Sequence, residues 1–242
     1  PLPVREQRRI GPWCFLDHIG PTSLEADNGV DVGTHPHIGL QTVTWLFEGA
    51  LLHKDSLGYE QVIRPGQLNL MTAGRGICHS EESPPGFSGP IHGLQFWIAL
   101  PESDEDTDPA FSHHTDLPQW RLGDATVTLV VGELDGRRSP ARVFSPLVGA
   151  HIRADGDTTL SLPVPAVFEL GVCVNQGHAR LEGTAMDSGS LYYLGQGRDQ
   201  VTLELDDGAD IMLLGGEPLG QPVLLWWNFV GRDQARIEAA IS

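Results

Sequence analysis

Glycine and proline interrupt this chain too often for long helices to form. Its 242 residues include 29 Gly and 18 Pro, and the apolar segments between them are short and rich in β-branched and aromatic residues. Segment 42–47 (TVTWLF) runs into a turn at Glu48-Gly49, and 61–71, 91–100, 125–134, 158–164, 167–174, 190–194, 200–205, 209–214 and 222–230 read alike. Turn formers recur roughly every 8–15 residues, the rhythm of an all-β sandwich or barrel. Only the tail, 231–242 (GRDQARIEAAIS), reads as an amphipathic helix, with Ala235, Ile237 and Ile241 as its apolar positions. Segment 101–121, where acids and prolines cluster, reads as a solvated connection.

A repeat spans that connection. Residues 64–75 (RPGQLNLMTAGR) match 187–198 (DSGSLYYLGQGR) at an offset of 123, with Gly66 on Gly189, Leu68 on Leu191 and Gly74-Arg75 on Gly197-Arg198. Further upstream Glu48-Gly49 meets Gln176-Gly177 at an offset of 128. Two similar β units in tandem are therefore expected, with domains at 1–121 and 122–242 and the helix on the second.

The net charge is −17, from 15 basic and 32 acidic residues. Such a surface repels phosphate, so direct nucleic-acid binding is excluded as a function. No apolar run reaches the roughly 18 residues that a membrane span needs. Cys14, Cys78 and Cys173 are odd in number and lack CxxC spacing. They argue against a disulfide framework or a thiolate zinc site and lead to the expectation of a reducing, cytoplasmic setting.

Histidine is distributed unevenly: eight of the ten lie before residue 115. His35-Pro36-His37 has i, i+2 spacing, which on a strand puts both imidazoles on one face, their Cα atoms roughly 6.5–7 Å apart. His79-Ser80-Glu81 repeats that spacing after a Gly-rich turn. Two such pairs on adjacent strands would bring three imidazoles and one carboxylate to a point, a donor set for Fe(II), Mn, Ni, Co, Cu or Zn. The competing reading is surface histidines with a salt-bridging Glu81. The repeat offers a control. At the offset of 128, His35 and His37 fall on Pro163 and Pro165; at 123, His79 falls on Thr202 and Glu81 on Glu204. The second half keeps none of the histidines, so the metal is expected in the first half only. Cys78 should point away from His79, His92 and Gln95 should face opposite ways, and Trp226-Trp227 should be packed.

Taken together, segments 11–21 (GPWCFLDHIGP), 34–49 (THPHIGLQTVTWLFEG), 51–58 (LLHKDSLG), 62–81 (VIRPGQLNLMTAGRGICHSE), 92–101 (HGLQFWIALP) and 216–230 (GEPLGQPVLLWWNFV) resemble the pirin family. The resemblance implies a bicupin: two cupin-type β-barrels packed face to face with a short C-terminal helix, the N-terminal barrel metal-binding and the C-terminal barrel metal-free. It assigns the metal, Fe(II) foremost, to His35, His37, His79 and Glu81. A general cupin has a carboxylate ligand four residues after HxH, where this chain has Gln41, so Glu81 would replace it. The implied activity is that of a metal-dependent flavonol (quercetin) 2,4-dioxygenase, with Glu81 as general base. The alternative implied role is a redox-responsive regulator whose iron state governs binding to a transcription factor or metabolic enzyme.

Overall fold

The computed structural model describes residues 2–5, 7–25 and 28–241, and the chain divides into two β units. The first unit contains β1 (Trp13–Leu24), β2 (Asp31–His37), β3 (Leu40–Glu48), β4 (Leu51–Asp55), β5 (Glu60–Ile63), β6 (Leu68–Thr72), β7 (Ile77–Glu82), β8 (Gly89–Ala99) and β9 (Ala110–His114). They build two antiparallel sheets, ordered β1-β8-β3-β6-β9 and β2-β7-β4-β5.

The second unit contains β10 (Gln119–Leu122), β11 (Ala125–Leu134), β12 (Arg137–Arg138), β13 (Leu147–Ala154), β14 (Thr158–Pro163), β15 (Glu169–Gln176), β16 (Ala179–Leu181), β17 (Thr184–Met186), β18 (Leu191–Gly195), β19 (Gln200–Leu205) and β20 (Asp210–Gly216). Its sheets run β10-β11-β13-β20-β15-β18 and β14-β19-β16-β17. The order β1-β8-β3-β6 recurs as β13-β20-β15-β18, and β2-β7-β4-β5 as β14-β19-β16-β17. The tandem repeat of the sequence is thus a repeat of topology.

The two interiors differ in chemistry. Leu160, Leu162, Val172, Val201, Leu203, Leu205, Ile211 and Leu213 fill the second with aliphatic side chains. In the first unit His37, Thr44, His53, Asn69 and His79 are buried as well. Alignment by sequence offset misplaces the counterparts. His79 and Glu81 face inward, whereas Thr202 is half-buried and Glu204 exposed, and the buried positions of β19 are Val201, Leu203 and Leu205. Likewise Pro163 is exposed, and Leu160 and Leu162 are the buried residues of β14. A slip of one residue in a strand turns every side chain to the other face.

The domain boundaries depart from the expected 121/122 division because the chain ends are exchanged. The segment from Gly220 belongs with Cys14–Asp116, and Pro3–Trp13 belongs with Leu117–Leu219. The C-terminal ribbon, β21 (Leu224–Trp226) and β22 (Phe229–Gly231), leads into helix α1 (Gln234–Ile241), and Ile237 packs on Ile38 and Phe229. The tail helix is amphipathic as expected, but Ile237 and Ala240 face the cluster while Ile241 is exposed. Asp233 caps it, accepting the N–H of Arg236 at 2.8 Å. The acidic 101–121 segment is not merely solvated. It supplies β9 and β10, and its buried Glu105 lies 3.4 Å from Arg232 and 3.5 Å from Arg236.

Candidate metal centre

The β2–β7 pair explains why the histidines meet. His35 lies opposite His79 and Val32 opposite Glu81, so β2 carries one extra residue between those rungs. This bulge, at Gly33-Thr34, re-aims His35 onto the face of His79. Pro36 sits on β2, the edge strand of its sheet, where its missing N–H interrupts no central ladder. The outcome is a cluster in which the ligand atoms of His35, His37 and His79 all lie within 4.8 Å of one another. His37 and His79 are buried and His35 is half-buried, which leaves His35 as the member nearest solvent.

Each ring is held from behind. Nδ1–H of His35 donates to the Gly33 carbonyl at 2.8 Å and Nδ1–H of His37 to the Asn228 carbonyl at 2.9 Å. A carbonyl only accepts, so both rings carry hydrogen on Nδ1 and present a bare Nε2. Nε2 of His37 lies 3.1 Å from Nε2 of His79. That spacing is what two nitrogens sharing one ion at about 2.1 Å would show at roughly a right angle. Burial lowers the pKa of His37 to about 3 and that of His79 to about 2. Neutral imidazoles need shed no proton to coordinate. The donor set therefore fits a divalent transition metal.

Glu81 belongs to a second group, with His53 and His79, again within 4.8 Å of one another. His79 is shared between the two groups. The Glu81 carboxylate accepts from Gln95 Nε2 at 3.4 Å, and the single hydrogen of the Thr44 hydroxyl is shared between Glu81 Oε1 at 3.2 Å and Gln95 Oε1 at 2.9 Å. Burial pushes the Glu81 carboxyl up to about 7 against the opposing pull of these hydrogen bonds. Behind it the strand register sets Gln95, Thr44, Asn69 and His113 in one row across β8-β3-β6-β9. The next inward row holds Trp97, Thr42, Met71 and Phe111. Trp97 meets His37 edge-on at 5.0 Å, and Phe111 stacks on His53 at 4.3 Å.

Gln41, in the place of the general cupin carboxylate, lies on the opposite face of β3 from Thr42 and Thr44 and donates to Thr72 at 2.9 Å. Cys78 pairs with Pro36 on the face away from His79. Gln95 enters the site and His92 leaves it, packing against Phe47 at 4.9 Å. Trp226 and Trp227 are not packed as expected: they are 51% and 57% exposed at the tip of the C-terminal ribbon. Sequence reasoning weighed Gln95 beside His92 without choosing between them, and missed His53, Thr44 and the Asn228 carbonyl. A signal for His53 was present, because His53-Lys54-Asp55 repeats the i, i+2 spacing of the other two pairs.

Paired β units of repeated topology, one of them turning a His/Glu group inward, define a metal-binding bicupin. Comparison with known proteins agrees. The family model described as Pirin matches residues 2–98, and the one described as Pirin C-terminal cupin domain matches 149–242. A Pseudomonas aeruginosa protein provisionally named quercetin 2,3-dioxygenase PA1205 is 50% identical over 99% of this chain and 76% of its own length. A pirin-like protein of Caulobacter vibrioides is 38% identical over 99% and 84%. The crystal structure of an Acinetobacter baumannii protein titled quercetin 2,3-dioxygenase superposes with a TM-score of 0.95 at 45% identity, covering 99% of this chain and 80% of that one. The Escherichia coli pirin YhhW, solved with nickel(II), shares the fold at 20% identity, with a TM-score of 0.71 over 89% and 86%. The chain belongs to the pirin family.

Proposed function

We propose that this protein is a metal-dependent flavonol 2,4-dioxygenase of the quercetinase type, its single metal held by His35, His37, His79 and Glu81. The observation that carries the reading is the inward convergence of the three imidazoles, with Glu81 reaching His79 from the same strand. The 45% identity to a structure titled quercetin 2,3-dioxygenase supports the substrate class. Nitrogen and carboxylate donors without thiolate suit Fe(II), Ni, Mn, Co, Cu or Zn. A metal bound here would supply Lewis acidity toward an aromatic hydroxyl and, for the redox-active members of that set, redox capacity toward dioxygen.

The protein's own groups do the rest. Thr44 and Gln95 fix the Glu81 carboxylate, which can then take the proton of the flavonol hydroxyl as a general base. Trp97 and Phe111 pack against His37 and His53 and make the surroundings of the imidazoles apolar and aromatic. The half-buried His35 marks the side of entry. The second unit, with aliphatic residues at the corresponding inward positions, serves as scaffold.

The test is direct. Metal-loaded protein should consume quercetin and dioxygen and release carbon monoxide, and His37→Ala should abolish turnover. Absence of turnover with Fe, Ni, Mn, Co and Cu would reject the enzymatic reading.

A further inference from the structure

A ligating imidazole must present a bare nitrogen to its ion, and the hydrogen bond at the other nitrogen decides which one is bare. For His35 and His37 a backbone carbonyl makes that decision. His79 has a side chain in the carbonyl's place: its Nδ1 faces Nδ1 of His53 at 3.3 Å. One of these two nitrogens carries the hydrogen, and the pair alone does not determine which.

Asp55 does. Its Oδ1 accepts the backbone N–H groups of Leu57 at 2.9 Å and Tyr59 at 3.1 Å. Its Oδ2 lies 2.9 Å from Nε2 of His53, on a side chain with no solvent exposure. An ionised carboxylate only accepts, so the neutral His53 ring carries its hydrogen on Nε2 and turns a bare Nδ1 to His79. His79 then donates from Nδ1, and its own Nε2 is bare where it faces Nε2 of His37 at 3.1 Å. Stacking on Phe111, with ring planes 13° apart, holds the plane of the His53 ring, and its contacts with Asp55 and His79 fix which edge faces each partner.

We propose that Asp55 and His53 form a relay that sets the tautomer of His79, so that His53 is a positioning residue and not a metal ligand. The proposal deepens the metal-centre reading above and rests on it. His53 also lies within 4.8 Å of Glu81, but its contact with His79 uses the nitrogen of His79 that does not face His37. One ion does not take both nitrogens of one ring. With the relay in place, bare nitrogens on His37 and His79 repel each other until a cation lies between them.

Asp55→Asn discriminates. The N–H groups of Leu57 and Tyr59 would retain the amide oxygen, leaving the new NH2 to donate to Nε2 of His53. The relay would run backwards and put the hydrogen of His79 on Nε2. Two-bond 1H–15N NMR of the full, chelator-treated, metal-free chain reads the tautomers directly. The expected result is Nδ1–H for His79 in the native protein and Nε2–H in Asp55→Asn. Ni2+ affinity, measured by competition with a chromophoric chelator, should fall about 10–100-fold in Asp55→Asn. It should stay near the native value in His53→Asn, whose amide oxygen restores an acceptor at the Nδ1 position. His79 found as Nε2–H in the native protein overturns the proposal, and that measurement needs no folded variant. A coordination shift on a His53 nitrogen when Zn2+ is added, or unchanged tautomer and affinity in Asp55→Asn, overturns it too. Zn2+ failing to shift His35, His37 and His79 would instead overturn the metal reading, while the metal-free tautomers still test the relay separately.

Discussion

In the metal-free protein burial holds His37 and His79 at folded pKa values of about 3 and about 2, below the 6.5 of an exposed imidazole. The unfolded chain binds more protons through that window, so these rings make stability rise with pH up to about 6.5 and fall on acidification. Glu81 acts in the opposite sense. Its folded value of about 7 exceeds the 4.5 of an exposed carboxyl, so its contribution is present below 4.5 and lost as pH rises through 7. Glu81→Gln removes that loss. The melting temperature of the metal-free variant relative to the metal-free native protein should climb between pH 4.5 and 7, and a flat difference would contradict the burial of this carboxyl. Cysteine reactivity should follow burial as well. Cys14 and Cys173 are buried, with the Cys173 thiol pushed up to about 12, whereas Cys78 is half-buried. Mass spectrometry after brief alkylation of the native protein should find label on Cys78 alone. Residue spacing made the shared facing of His35 with His37 and of His79 with Glu81 legible in the sequence, because i, i+2 on a strand has one geometric meaning. Of the partners of those residues only Gln95 was in view, as an alternative to His92; Thr44 and Asn228 come from distant segments that only the fold brings near.

At the scale of elements, the site depends on the C-terminal ribbon returning to the end of β2. Val230 N–H donates to the Ile38 carbonyl at 3.1 Å, and the Asn228 carbonyl then meets His37. Gly39 allows this approach. Its φ is +69°, and a Cβ there would lie 2.1 Å from the Val230 oxygen. Gly39→Ala should cost about 1–2 kcal/mol from the left-handed backbone alone, and more from displacing the ribbon. It should weaken Ni2+ binding although no ligand is altered, and chelator competition beside a urea titration would check both effects. Removing the helix cap with Asp233→Ala should cost ~1 kcal/mol, visible as a lower urea midpoint. Central strands such as β11 and β19 agreed with the β-branched runs of the sequence to the residue or nearly so. β2 and β9 did not stand out, because both lie at sheet edges and carry Pro, His or Ser in place of an apolar alternation.

Across the molecule, the two units share a topology while their interiors do different things. Metal binding should therefore protect one unit only. At a metal concentration 100 times Kd the gain is about 2.7 kcal/mol, and hydrogen exchange should slow in β2, β4 and β7 but not in β14, β16 and β19. Equal protection of both would indicate that the site is not confined to the first unit. Glycine and proline spacing together with short β-branched runs determined an all-β chain, the internal match determined its duplication, and paired histidines in one copy determined where a metal could go. These properties are local or periodic, so the linear order of residues contains them. The tertiary structure alone decided which unit receives each chain end, which face each repeated position takes, and which carbonyls and carboxylates stand behind the imidazoles. Each of those rests on contacts between segments far apart in the chain, where a one-residue shift of register exchanges inside for outside.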